Sequence, residues 1–295
     1  MRTSILLALT FMLMACLQNT ATASGLPSPA DKGEEGMGHQ NETLRTIHSL
    51  RSTHGNFSDK EVTDEDLRTI LNAAVRAANS SSRQCYSIVV IEDRELMKQV
   101  TQYAGSKALI FCVDYNRLID TARYLGHNYD VGRTIWYITA VTDTILAAQT
   151  AAIAARSLGI DSLFTNGIHR GDPSRVYKLL KLPEKHCFPQ IALILGYATK
   201  EPESLKGRLS GAGVVHFGEY HRLADQELMD LVKQYDDPEK HLGLNQDWKE
   251  KGFDHYLDWF YKVWSRPVDR KRDTFYDILM NIQFLPDHTQ KERNE

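Results

Sequence analysis

The alanine-rich segment DTILAAQTAAIAARSLG, residues 143–159, is the most informative stretch of this chain. It closes the longest helical pattern in the sequence, which begins near Thr134 and stops at Gly159. Alanine on most of the helix surface allows other elements to approach closely, and apolar residues all round indicate burial on several sides. We therefore predict a central helix, which a partner subunit could share.

Four apolar runs around this helix predict buried strands. Bounded by turn or charged residues, they cover Tyr86–Ile91, Ala108–Val113, Gln190–Leu195 and, more briefly, Ser162–Thr165. Ahead of them, Thr63–Asp66 forms a capping-box pattern, and apolar residues then repeat at helical spacing. We expect a core-facing helix with a defined start at this position.

Composition restricts the function classes. Of the 295 residues, 42% are hydrophobic and 25% are charged, which is ordinary globular material for one main domain. The formal net charge is -3, whereas general nucleic-acid binding needs a clustered cationic surface. We expect no nucleic-acid partner, and any phosphate binding must depend on a few local cations.

An apolar run from Ile5 to Ala15 is too short for a membrane-spanning helix and predicts an export signal over residues 1–23. Two processing sites remain open. Leu13–Cys16 resembles a lipobox, in which case a lipid on the cysteine would anchor the protein to a membrane. Ala21–Ala23 resembles an ordinary signal-peptidase site, which would release a soluble protein. The expected location is the periplasm or a membrane surface.

Residues 24–41 combine glycine, proline and charge without apolar periodicity, and they predict a flexible tether. We expect the main domain at residues 42–224 and a helical extension at residues 225–295, packed on the domain or on a partner subunit. Two apolar stripes at helical spacing mark this extension. They consist of Phe253, Tyr256, Leu257, Phe260, Tyr261 and Trp264, and of Phe275, Ile278, Leu279 and Ile282.

Three cysteines follow the predicted signal, an odd number without a C-x-x-C pair, so neither a disulfide framework nor a zinc site is expected. The sequence lacks G-x-S-x-G, H-E-x-x-H, a Walker loop and G-x-G-x-x-G. His216, Glu219 and His221 would fall on opposite faces of a strand-like run. We therefore predict no metal site.

A polar loop precedes the capped helix. Arg51-Ser52-Thr53-His54 brings a guanidinium, two hydroxyls and an imidazole together, which suits a phosphate and a polyol. Far along the chain, Lys206-Gly207-Arg208 supplies two more cations after the strand that ends near Gly196. Either group alone is typical of ordinary solvated surface charge.

Several segments, in order along the chain, resemble the nitroreductase family. Arg51, Ser52 and Phe57 match the family's opening Arg-Arg-Ser-x-Arg-x-Phe. Ala78–Tyr86 lies where the family has Ala-Pro-Ser-x-x-Asn-x-Gln-Pro-Trp before a strand. Residues 143–159 resemble the long alanine-rich helix that ends in Leu-Gly.

The later segments continue this resemblance. Asn166-Gly167 falls where the family's loop contacts the flavin ring through a backbone N–H. Gly196-Tyr197, followed by Lys206 and Arg208, resembles the closing Gly-Tyr and the phosphate-binding basic pair. Each motif alone is weak, and their shared order and spacing over about residues 47–209 is the specific signal.

The resemblance implies an α+β fold, with a central mixed, mostly antiparallel sheet flanked by helices, in an intertwined homodimer. It also implies an FMN-dependent oxidoreductase, linked to NAD(P)H. By a ping-pong mechanism, such an enzyme passes electrons from a small-molecule donor to a small conjugated acceptor such as a nitroaromatic or a quinone. The flavin carries this chemistry, so no protein side chain is expected to be catalytic.

Carried over position by position, the resemblance assigns nine residues to FMN. The phosphate and ribityl chain would contact Arg51, Ser52, Lys206 and Arg208, with His54 as a substitute cation or donor. The isoalloxazine would face Ser82, Gln84, Asn166 and Gly167, with the Gly167 N–H near N5. The chain departs from the family at His54, at the extra residue before Phe57, and at Ser82, which stands in the usual asparagine place.

Two alternatives remain open at this point. The chain could be an exported flavin-binding module without turnover, or a partner-binding lipoprotein that has kept the fold and lost the ligand. The departures at His54 and Ser82 motivate the second alternative. NAD(P)H is scarce outside the cytoplasm, so the donor of an exported enzyme also stays open.

Overall fold

The computed structural model describes residues 41–211, 213–264 and 274–285. The predicted export signal, including Cys16, and nearly all of the predicted tether lie outside these ranges. The helices within them are α1 Glu42–His48, α2 Asp64–Ala74, α3 Arg94–Thr101, α4 Asn116–Tyr124, α5 Thr134–Ser157, α6 Ser174–Leu180, α7 Asp225–Asp236, α8 Tyr256–Trp259 and α9 Thr274–Asn281. The strands are β1 Tyr86–Ile91, β2 Lys107–Asp114, β3 Asp161–Thr165 and β4 Cys187–Gly196.

The four strands form one sheet in the order β1-β2-β4-β3, and each neighbouring pair is antiparallel. A parallel bridge between Ser52 and Ser162 lies at the β3 edge. The four predicted strand runs are confirmed, and so is a mostly antiparallel sheet among helices. Antiparallel pairing places the start of β3 and the end of β4 beside the polar loop that begins at Arg51.

Helix α5 is the central element, as predicted. Its alanine face is buried against one face of the sheet, where it also contacts α2. Among the described helices, α5 is the one that is long and apolar enough to cross a membrane, by length and composition only. Its packing against the sheet and α2 accounts for the buried part of that apolar surface. The opposite sheet face carries α3 and α6, so helices cover both faces.

The sequence signals at helix ends agree with the structure. Thr63 caps α2, because its side chain accepts a hydrogen bond from Asp66 N at 3.0 Å. Helix α5 ends at Ser157, two residues before Gly159. The helix at Thr274–Asn281 packs its predicted stripe against the core around Tyr115 and Phe284.

The other predicted stripe, from Phe253 to Trp264, is helical only from Tyr256 onward. Helix α8 begins only at Tyr256, and Phe260–Trp264 continues it as a π-helical turn. Tyr261 and Trp264 are exposed. The remaining aromatics form a cluster with residues that precede the stripe, and its buried members are Trp248, Tyr256 and Trp259. Tertiary contacts, rather than helical periodicity, therefore organise this part of the extension.

Candidate functional site

A cavity of about 550 Å³ opens beside the edge strand β3. It is built by the end of α1 and the loop after it, one side of α5, β3, and the segment that follows β4. Its lining residues are Ile47, His48, Leu50, Arg51, Ser52, Gln149, Ala152, Ser162, Phe164, Leu205, Lys206 and Arg208. Four of the nine residues predicted to bind FMN thus share one concave surface: Arg51, Ser52, Lys206 and Arg208.

The loop that carries Arg51 is attached to β3 through a single β-bridge. Ser52 forms the parallel bridge to Ser162, and Thr53 N donates to Ser162 O at 2.9 Å. This pairing fixes the backbone of the loop at the sheet edge. It also sets Arg51 next to Asp161, the first residue of β3.

The Arg51 guanidinium is held by two carboxylates. Its Nε donates to Asp161 Oδ1 at 2.8 Å, and both of its Nη atoms donate to the Glu201 carboxylate. The hydrogen bond with Glu201, and after it the one with Asp161, raises the pKa of Arg51 above its ordinary value. The same contact lowers the pKa of Glu201. Arg51 is therefore a permanent cation with a fixed orientation.

Asp161 is the centre of a wider network. It is buried and also accepts hydrogen bonds from Arg156 Nη1 at 3.1 Å and from Ala198 N at 2.9 Å. Arg156 in turn donates to Ser49 Oγ at 3.0 Å. One carboxylate thus connects α5, the Arg51 loop and the segment after β4.

Lys206 and Arg208 bond to backbone carbonyls. Lys206 Nζ donates to Gly243 O at 2.7 Å, and Arg208 Nη1 donates to the carbonyls of Lys206 and Gly207. Across the described ranges, neither cation forms an ion pair with a carboxylate. Carbonyl groups leave the full positive charges uncompensated, so this end of the cavity favours an anionic ligand.

Gly207 allows the basic segment to lie directly against the C-terminal extension. A Cβ atom at this position would be 2.0 Å from Lys240 O, which is far inside contact distance. Gly207 N donates to His241 O at 3.3 Å. The extension therefore supports the backbone between Lys206 and Arg208.

The other predicted FMN residues do not line this cavity within one subunit. His54 is exposed on the loop after Ser52. Ser82 and Gln84 lie in the turn before β1, where both residues, like Ser81, adopt positive φ. Such backbone strain persists only where the surroundings enforce it.

Asp143 of α5 holds that turn in place. Its carboxylate, which is buried, accepts hydrogen bonds from Ser80 N at 2.8 Å and from Cys85 N at 3.3 Å. Arg117 adds a contact to Gln84 O at 2.5 Å. The turn is therefore a built feature of the fold rather than a loose connection.

Asn166 and Gly167 follow β3, close in sequence to the lining residue Phe164. Asn166 is exposed, whereas Gly167 is buried and its N–H donates to Thr165 Oγ1 at 2.9 Å. Arg175 Nη2 donates to Gly167 O at 2.8 Å. In this structure the Gly167 amide is thus engaged within its own chain.

The model of the nitroreductase family matches residues 49–197. An oxygen-insensitive NADPH nitroreductase of Salmonella typhimurium is 33% identical over 264 residues, which are 85% of this chain and 97% of that protein. This chain belongs to the nitroreductase family. The predicted family membership is thereby confirmed.

Two further similar proteins agree with this assignment. An FMN reductase (NADPH) of Bacillus subtilis is 30% identical over 194 residues, covering 61% of this chain and 75% of that protein. A solved structure of NfrA2 from B. megaterium has 26% identity and a TM-score of 0.70, and covers 84% of this chain and 100% of that one. These likenesses confirm the predicted α+β fold and the predicted enzyme class, an FMN-dependent oxidoreductase linked to NAD(P)H.

The predicted location, periplasmic or anchored through a lipid on Cys16, is contradicted by the same comparisons. The relatives are named for NADPH as their reductant. That donor is scarce outside the cytoplasm, so an exported location does not suit a reductase of this family. The apolar N-terminal run that motivated the prediction lies outside the described residues.

Asp161, Glu201 and Asp143 were not among the predicted site residues. Asp161 gives a weak sequence signal, because it is a carboxylate at the start of a strand that is buried for most of its length. Glu201 lies in a charged turn, and Asp143 lies within a helix. Neither position stands out until the fold brings it to its partners.

Proposed function

We propose that this chain is an NAD(P)H-dependent flavin reductase whose FMN binds in the cavity between Arg51 and Arg208, and which reduces a small conjugated acceptor. Nitroaromatics and quinones are the acceptor classes we favour. Donor and acceptor would occupy the site in turn, which is a ping-pong mechanism. The observation that carries the proposal is the convergence of three cations and a hydroxyl, from two segments far apart in sequence, on one cavity.

The residues present fit a flavin phosphate. The cavity volume of about 550 Å³ is typical of a small-molecule site, and its wall combines apolar surface with a few charged groups. Lys206 and Arg208 would neutralise the phosphate, Arg51 would add a guanidinium, and the Ser52 hydroxyl would bond to the phosphate or ribityl chain. When bound, FMN supplies the hydride transfer.

The ring end of the site is a proposal that requires a homodimer. Ser82 and Gln84 lie away from the cavity of their own subunit, so we assign them, with Asn166 and Gly167, to a ring bound between two copies. His54 would act at the outer edge as a donor.

Helix α5 supports that dimer. Ile135 and Ile138, 58% and 54% exposed, and Leu146 leave apolar side chains on its surface. Apolar groups of this kind along one helix are typical of a surface that a second copy covers. We further propose residues 42–224 as the flavin domain and residues 225–295 as an extension that borders the phosphate end and influences substrate choice.

The visible spectrum and an anaerobic reduction test the function. Purified protein incubated with FMN and desalted is expected to be yellow. NADPH or NADH should bleach the bound flavin, and a nitroaromatic or quinone should restore the colour. A colourless protein after incubation with excess FMN would favour a partner-binding role. A yellow protein that neither nucleotide bleaches would favour a flavin-binding module without turnover.

The phosphate assignment predicts that Arg51→Ala and Arg208→Ala each weaken FMN binding. Each removes a charge-assisted contact of roughly 1.5 to 3 kcal/mol, which corresponds to about a 10- to 150-fold higher Kd. Flavin-fluorescence titration measures the change. Arg123→Ala on α4, whose side chain pairs with Asp120 at the surface, is the matched control. Unchanged FMN affinity in both cavity variants would remove the assignment.

A further inference from the structure

The two carboxylates on Arg51 differ in their exposure to solvent. The Asp161 side chain is 5% exposed, and it is also bonded to Arg156 and Ala198. The Glu201 side chain is 78% exposed, and within the described ranges its bonding partner is Arg51. A buried carboxylate that loses its partner is left without solvent, whereas an exposed carboxylate is rehydrated when it leaves. An incoming anion would therefore replace Glu201 and leave Asp161 in place.

Glu201 reaches Arg51 because the segment after β4 is bound along the Arg51 loop. Ser58 N donates to Tyr197 O at 2.7 Å, and Thr199 N donates to Asn56 O at 2.8 Å. These bonds place the segment after β4 beside the Arg51 guanidinium. The position of Glu201 is thus set by backbone pairing and does not depend on a chance surface contact.

The contact itself has the geometry of phosphate recognition. Both Glu201 oxygens accept from the two Nη atoms of Arg51, which is the fork that a phosphate would also use. Lys206 and Arg208, by contrast, face carbonyl oxygens. Of the three cavity cations, Arg51 is therefore the one already neutralised by acidic side chains in the described part of the chain.

We propose that Glu201 is a specificity-determining residue, which sets how strongly the site prefers FMN over the unphosphorylated flavin, riboflavin. It does so by competing with the ligand phosphate for Arg51. The inference rests on the proposed function, because it takes the phosphate to lie at this guanidinium. Riboflavin lacks the phosphate, so its binding does not require Glu201 to move.

Glu201→Gln tests the competition, with Glu203→Gln as the matched control. Glu203 is nearby, its side chain is 90% exposed, and it pairs with Lys200 instead of Arg51. The full-length protein is stripped of flavin, and the Kd values for FMN and riboflavin are measured by fluorescence titration. We expect Glu201→Gln to tighten FMN binding by about two- to fivefold and to leave riboflavin unchanged. Glu203→Gln should change neither value.

Two results would overturn the role of Glu201. One is weaker or unchanged FMN binding in Glu201→Gln, and the other is an equal change for both flavins. Failure of the proposed function looks different, because it appears in the unsubstituted protein. There, FMN would bind no more tightly than riboflavin, and Arg208→Ala would have no effect on either ligand.

Discussion

Replacing Gly167 by alanine is expected to lower the free energy of unfolding by about 3 kcal/mol, because the added methyl group has no space. Its Cβ atom would lie 1.8 Å from Thr101 O and 2.7 Å from Thr101 C. Both are backbone atoms of a buried residue that ends α3. A side-chain rotation cannot relieve the overlap, so the loop after β3 or the end of α3 must move.

Urea denaturation followed by circular dichroism measures this loss. Gly132→Ala is the control, because its Cβ would meet the carboxylate oxygen of Asp130, a surface side chain that can turn away, at 3.3 Å. We expect that variant to unfold close to the unsubstituted protein. Equal midpoints for the two alanine variants would show that the packing between Gly167 and Thr101 is looser than described.

Asp161→Ala is expected to cost about 3 kcal/mol of stability as well, for an electrostatic reason. The change leaves the Arg156 guanidinium and the Ala198 N–H without the oxygens that now accept from them, and it removes the inner partner of Arg51. Asp161 is buried, so water cannot fully replace these bonds. Thermal and urea unfolding are the measurements.

Glu201→Ala provides the control, because it removes a carboxylate from the same guanidinium at an exposed position. Its effect on stability should be small. Similar losses in the two variants would mean that burial does not distinguish the two carboxylates. That result would also weaken the argument that Glu201 is the replaceable one.

The sheet and the central helix could be predicted from sequence because their signals are local. Strands β2 and β4 contain long apolar runs, and α5 carries most of its alanines between Ala147 and Ala155. The aromatic extension could not be predicted in the same way. Tyr256 stacks on Tyr235 with ring centroids 5.5 Å apart, and Trp248 joins the same cluster. Contacts of this kind do not follow helical spacing.

The cationic residues of the candidate site could be predicted from the sequence, whereas its carboxylates could not. Arg51, Lys206 and Arg208 belong to motifs, whereas Asp161 and Glu201 contact Arg51 from 110 and 150 residues away. Local patterns contain no information on such pairs. The export prediction was wrong for a related reason. A short apolar run contains no information on the electron donor, and the donor is what argues against export.

The seam between Lys206–Arg208 and residues 240–243 is held by hydrogen bonds whose acceptors are main-chain atoms. The acceptors there are the carbonyl oxygens of His241 and Gly243, which every amino acid can offer. Most side chains along the seam can therefore be substituted during evolution without weakening these contacts. Lys206 is an exception, because its Nζ donates to Gly243 O. Gly207 and Gly243 are the others, because a methyl group would strike Lys240 O in one case and the Tyr256 ring in the other.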